Sequence, residues 1–98
     1  MTTPYKQIQA RIFNHQHWVD TTDPEQLKES FTSYLQKSGF TILQFNEHYF
    51  EQQGYTCFWL LAESHLAIHT FPENNTAYIE LSSCNEEKME LFKRVTSL

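Results

Sequence analysis

Tyr55-Thr56-Cys57-Phe58-Trp59-Leu60-Leu61-Ala62, a break at Glu63-Ser64, then Leu66-Ala67-Ile68-His69-Thr70 and a turn carrying Pro72, Asn74 and Asn75: how this stretch reads decides the fold. Two short apolar runs rich in aromatic and β-branched residues, separated by polar breakers, read as consecutive strands. Upstream, Phe40 to Phe45 has the same character. With the polar loop at Gln52-Gln53-Gly54 it forms the other half of a hairpin with the Tyr55 run. Downstream, Thr76 to Ser83 supplies a further strand beyond the Pro72 turn.

Helices flank this block. Thr22-Asp23-Pro24-Glu25 has the spacing of a capping box with Pro in the first turn, and Leu27, Phe31, Tyr34 and Leu35 follow on one face. Gly39 is expected at the C-cap. Asn85 can cap a last helix with Glu86 and Glu87 in its first turn, and Leu91, Phe92 and Val95 form its apolar stripe. Before the first helix, Lys6 to Phe13 alternates weakly through Ile8, Ala10 and Ile12 and reads as a strand. The expectation is an α+β two-layer sandwich: an antiparallel sheet with two helices on one face, built as one domain over residues 1–98. A sheet this short is expected to pair with another copy.

Composition narrows the function. The chain is 40% hydrophobic and 15% aromatic, so it can build a core. Seven basic against twelve acidic residues give a formal charge of −5, and Lys and Arg form no stripe, which argues against a nucleic-acid partner. The start is polar and no apolar run approaches a membrane span, so no membrane association is expected and a cytoplasmic protein is predicted. Without an export signal, Cys57 and Cys84 are not expected to pair. Cys57 reads as a small buried residue within its strand, and Cys84 ends the Thr76 strand.

The chemistry concentrates in Glu63 to Glu73, where a hydroxyl, two imidazoles and two carboxylates occupy eleven positions. Ser64 follows an acid and precedes His69 by five residues. It is either a turn serine or a nucleophile able to attack its own preceding carbonyl, with a histidine then taking its α-proton. His65 and His69 share one face of a strand, opposite Leu66 and Ile68. A zinc pair of this spacing belongs on a helix, so no metal is expected. His15, His17 and His48 read as solvated. Glu73 is either a solvated turn carboxylate or an acceptor for ligand hydroxyls, and Phe50 is either core or an exposed ring for stacking.

Taken together, Glu63-Ser64-His65-Leu66-Ala67-Ile68-His69-Thr70-Phe71-Pro72-Glu73 and Ala77-Tyr78-Ile79-Glu80-Leu81-Ser82-Ser83-Cys84 resemble the prokaryotic S-adenosylmethionine decarboxylase family, over roughly residues 27 to 95. The resemblance implies a proenzyme that cuts itself between Glu63 and Ser64 into residues 1–63 and 64–98, turning Ser64 into a pyruvoyl group. No external cofactor is then needed. It implies His69 as the processing base and Cys84 as the proton donor in turnover. The keto group forms a Schiff base with the substrate's α-amino group. Glu73 is implied to hold ribose hydroxyls and Phe50 to stack on adenine, while Thr56 stands where the family has a serine that assists processing.

The implied activity supplies decarboxylated S-adenosylmethionine for spermidine synthesis. Alternatives are pyruvoyl-dependent decarboxylation of ornithine or arginine, and an unprocessed homologue acting as a binding or regulatory partner. A homodimer is expected, or pairing with a paralogue. The sequence departs from the family pattern at Lys6-Gln7-Ile8-Gln9, where a Gly-x-His is usual, at Phe71, where a Trp is usual, and at Ser82-Ser83-Cys84-Asn85, where Phe-Thr-Cys-Gly is usual. It reads as a short member lacking the closing strand.

Overall fold

The structure, a computed structural model, describes residues 11–98. The chain runs β1 (Phe13–Val19), α1 (Pro24–Lys37), β2 (Ile42–Tyr49), β3 (Tyr55–Leu61), β4 (Ser64–Phe71), a 3-10 turn (Pro72–Asn74), β5 (Thr76–Ser83) and α2 (Glu86–Thr96). The five strands form one antiparallel sheet in the order β1-β5-β4-β3-β2. Three successive hairpins make β2 to β5 a meander, and β1 closes the other edge against β5.

Period-two burial decides which face carries the helices. Tyr55, Cys57, Trp59 and Leu61 of β3, Leu66 and Ile68 of β4, and Ala77, Ile79 and Leu81 of β5 are all buried. They meet Leu27, Phe31 and Leu35 of α1 and Met89 and Phe92 of α2 in one core. Side chains of the opposite parity form a second face that neither described helix covers. There Trp18 is 55% exposed, and Leu60 and Phe71 are each 37% exposed. The α+β two-layer architecture expected from the sequence is therefore the one observed.

Local chemistry fixes the helix ends. After α1, Gly39 takes φ +88, and Gly39 N–H and Phe40 N–H donate to the carbonyls of Gln36 and Leu35, each at 3.0 Å. This is a Schellman closure, with Ser38 as the C-cap and Gly39 one position beyond it. The α2 cap is as expected, Asn85 Oδ1 accepting from Lys88 N–H at 3.0 Å. At the β2 edge, Lys28 of α1 lies 3.5 Å from Glu47, which accepts from the Tyr55 hydroxyl at 2.6 Å. Burial, then that hydrogen bond, push the Tyr55 phenol above its ordinary range.

Four local expectations are corrected. The first strand begins at Phe13, where the expected one ended; Lys6 to Ala10 lie outside the described residues. Its polar Asn-His-Gln-His run hid it, because an edge strand needs little apolar surface. No capping box forms: Asp23 is the N-cap and makes no side-chain bond. The Thr21 hydroxyl instead accepts from Asp23 N–H at 3.3 Å and donates to Gln26. In α2 the buried stripe is Met89 and Phe92, while Leu91 is 37% exposed. His15 is not fully solvated: it is half-buried, stacks on His17, its ring edge meets Phe92, and its Nε2 is buried without a hydrogen-bond partner among the described residues.

Candidate active site

Ser64 is the first residue of β4, not a free turn residue. Leu61 pairs with Ser64, so Ala62 and Glu63 are the two central residues of the β3–β4 hairpin. The primed turns that usually close a two-residue hairpin need positive φ at the first central residue, here Ala62. Only Glu63, the second, has it, at φ 70 although it is not glycine, which is the pattern of a type II turn. The peptide bond between Glu63 and Ser64 thus follows a residue held in a conformation that costs about 1–2 kcal/mol.

The β4–β5 register sets Ser64 opposite Ser83. The Ser64 hydroxyl donates to Ser83 Oγ at 2.8 Å. Just beyond β5, the Cys84 thiol reaches back to the Glu63 carbonyl, with Sγ 3.3 Å from that oxygen and 3.9 Å from Glu63 Oε2. Glu63, Ser64, His65, Ser83 and Cys84, with Ile12, line a cavity of about 240 Å³. A nucleophilic hydroxyl, the carbonyl it follows and a thiol donor to that carbonyl are therefore gathered at one end of the sheet. Both cysteines are free, but only Cys84 is exposed; burial pushes the Cys57 thiol up to about 12.

His69 is not part of this cluster. It lies five residues along a regular strand, roughly 16 Å at about 3.3 Å per residue, and the odd separation turns it to the other face. Ser64 shares parity with the buried Leu66 and Ile68, while His69 is exposed on the uncovered face. There its Nδ1 lies 3.0 Å from Thr56 Oγ1, and in the tautomer whose Nδ1–H donates to that hydroxyl oxygen Nε2 is the basic nitrogen. His48, Thr56, His69, Tyr78 and Trp18 stand opposite one another across the strands and form one row on that face.

The other expected binding residues join His69 rather than Ser64. Phe50 directly follows β2, is 51% exposed, and packs its ring against His48 with centroids 4.6 Å apart. Glu73 sits exposed in the 3-10 turn after β4. Both lie at the end of the sheet opposite Ser64. Trp18, Phe71 and Tyr78 form an aromatic group on the β1–β5–β4 side of that end, with Trp18 5.7 Å from Phe71 and 5.1 Å from Tyr78. The expected residues thus fall into two half-sites, Glu63/Ser64/Cys84 and Thr56/His69/Phe50/Glu73. Among the described residues, no group of three or more His, Cys, Asp or Glu could hold a metal. No helix among them is long and apolar enough to cross a membrane.

Sequence reasoning missed Ser83, which lines the cavity and holds the Ser64 hydroxyl. The available signal was register: Thr76 to Ser83 and the strand after the break pair antiparallel across a short turn, which sets the two serines opposite each other.

A family model described as S-adenosylmethionine decarboxylase matches residues 15–97. The S-adenosylmethionine decarboxylase proenzyme of Prochlorococcus marinus (strain MIT 9313) is 43% identical over 63 residues, 64% of this chain and 50% of that protein. The proenzyme of the same name from Brevibacillus brevis is 39% identical over 64 residues, 65% of this chain and 48% of its own length. The chain thus spans about half the length of the curated relatives it matches. Among solved structures, the adenosylmethionine decarboxylase from Aquifex aeolicus VF5 superposes with a TM-score of 0.62 at 22% identity, covering 85% of this chain and 75% of that one. At that identity the likeness is one of fold.

Proposed function

Because the chain belongs to the S-adenosylmethionine decarboxylase family, we propose that it cuts itself between Glu63 and Ser64 and decarboxylates S-adenosylmethionine with the pyruvoyl group so formed. The single observation that carries this is the contact of the Cys84 thiol with the Glu63 carbonyl, 3.3 Å away, beside a left-handed Glu63 and the Ser64 hydroxyl. Those three features favour an N-to-O acyl shift: a nucleophile, a donor for the carbonyl oxygen and a strained residue on the acyl side of the bond that breaks.

In the first step Ser64 Oγ bonds to the Glu63 carbonyl carbon and the C–N bond breaks. The hydroxyl proton ends on the Ser64 nitrogen, leaving an ester and a free amine. The Cys84 S–H meets the charge that builds on the Glu63 oxygen. A base then removes the Ser64 α-proton and expels the Glu63 carboxylate; the resulting dehydroalanine hydrolyses to the keto group and ammonia. Once formed, that group supplies an electron sink for the pair left when CO₂ departs. Cys84 is placed to return a proton to the substrate's α-carbon.

His69 serves as the base only across a dimer. If two copies pack their uncovered faces about a twofold axis, an axis level with the Leu66–Ala67 step, midway between Ser64 and His69, brings His69 of the partner subunit to the Ser64 backbone, on the side from which the α-carbon and not the hydroxyl is approached. Facing sheets sit about 10 Å apart, and the small Ala67 side chain permits that approach. The exposed Trp18, Leu60 and Phe71 are the apolar surface such packing would cover. The same operation carries Thr56, Phe50 and Glu73 with His69, so ring stacking on adenine and carboxylate contacts to ribose also come from the second copy. The product feeds aminopropyl transfer in spermidine synthesis, and the protein works in the cytoplasm without nucleic-acid or membrane partners.

Denaturing intact mass of the purified protein, followed by CO₂ release from S-adenosylmethionine, ornithine and arginine, tests the reading. It predicts two fragments split before Ser64, a blocked amino terminus on the smaller, and turnover of S-adenosylmethionine. A folded but persistently uncut chain would identify a non-enzymatic homologue. Cleavage with turnover of ornithine or arginine alone would overturn the substrate.

A further inference from the structure

Ser83 is buried to 1% exposure, and its hydroxyl is fully committed. It accepts from Asn85 N–H at 2.9 Å, faces the Asn85 carbonyl at 3.4 Å with its own proton, and accepts from the Ser64 hydroxyl at 2.8 Å. Asn85 is itself held at two points: its side chain caps α2 through Lys88 N–H, and its carbonyl takes Met89 N–H at 3.1 Å. The donor and acceptor roles follow from this order. A backbone N–H can only donate and a carbonyl can only accept, so the remaining position on Ser83 Oγ is an acceptor. Ser64 fills it as a donor, at 2.8 Å.

We propose that Ser83 is a positioning residue for self-cleavage, a role resting on the processing step described above. With its O–H bound to Ser83, the Ser64 oxygen is held in one rotamer and keeps both lone pairs clear for the Glu63 carbonyl carbon. The bond that forms is Ser64 Oγ to Glu63 C, and the bond that breaks is Glu63 C to Ser64 N. The proton that begins on the hydrogen bond to Ser83 ends on the Ser64 nitrogen, so Ser83 is unchanged. A hydroxyl serving only to close the turn into α2 would need Asn85 N–H alone. The well-formed second bond, at the usual O–H···O distance, is what that simpler role leaves unexplained.

The test uses the near-isosteric pair Ser83→Thr and Ser83→Val, which differ by a hydroxyl against a methyl, with Ser83→Ala as the variant adding no volume. Cleavage of newly synthesised chain is followed by denaturing mass, with and without hydroxylamine, and normalised to the folded fraction. The expected result is that Ser83→Thr cuts within a few-fold of the native chain, while Ser83→Val and Ser83→Ala are slower on the order of a hundredfold. Hydroxylamine should release no fragment from the slow variants, because the ester has not formed. Ser83→Val cutting as fast as Ser83→Thr, or accumulating a hydroxylamine-sensitive ester, would overturn the role. A folded native chain that never cuts would overturn the processing step itself, and that outcome is distinct from either of these.

Discussion

Replacing Glu63 by Gly and, separately, by Ala isolates the backbone strain at the scissile bond. Both remove the carboxylate, so their difference reports the Cβ at φ 70. A left-handed conformation costs a residue with a Cβ about 1–2 kcal/mol. Gly avoids that cost but loses up to about 1 kcal/mol through the greater freedom of the unfolded chain. The expected net is Glu63→Gly more stable than Glu63→Ala by about 1 kcal/mol, a Tm difference of about 4–8 °C for a domain of this size. Measured by thermal unfolding in a Ser64→Ala background, where no cleavage intervenes, the comparison is clean. The same strain is released when the bond breaks, so in the Ser64 background Glu63→Gly should process up to about fivefold more slowly than Glu63→Ala. Stability and rate therefore move in opposite directions. A Glu63→Ala chain at least as stable as Glu63→Gly would refute the argument that the turn stores strain.

Three further outcomes follow from the packing. Burial lowers the pKa of His15 first, with Lys93 and His17 adding to it and Glu90 opposing, so the fold favours the neutral ring. Stability should be complete above the ordinary imidazole range and be lost as the pH falls through 6.5 toward the lowered native value; Tm of the Ser64→Ala chain between pH 8 and 5 should show this slope, and His15→Gln should reduce it. Thiol titration with a chromogenic disulfide should find one reactive cysteine, Cys84, in the native chain and two after denaturation. Ile68→Ala empties a fully buried position between sheet and helices and should cost about 2–5 kcal/mol by denaturant titration.

Much of the sheet was legible because its strands alternate cleanly. Thr76 to Ser83 is a strand with the expected bounds, and Tyr55 onward begins where the Gly54 loop ends. The edges were harder. β1 buries little, so its polar sequence carried no periodic signal, and β2 runs on to Tyr49 through the polar Asn46, Glu47 and His48 for the same reason. At the site, the chemical cast was legible but its division was not. Beginning the strand at Leu66 left Ser64 in a turn, where strand parity does not apply. Once β4 begins at Ser64, the five-residue interval to His69 means opposite faces. The Ser64–Ser83 bond and the left-handed Glu63 depend on register and turn geometry, which residue types alone do not fix.

The most direct test of the two-copy site is to co-express Ser64→Ala with His69→Ala and follow cleavage by denaturing mass. Each variant alone should stay unprocessed, the first lacking the nucleophile and the second lacking the base. In the mixed dimer, intact Ser64 of one chain meets intact His69 of the other, and the His69→Ala chain should be cut before Ser64. A mixture as uncut as its components, or a His69→Ala chain that matures unaided, would contradict the assembly of the site across two copies.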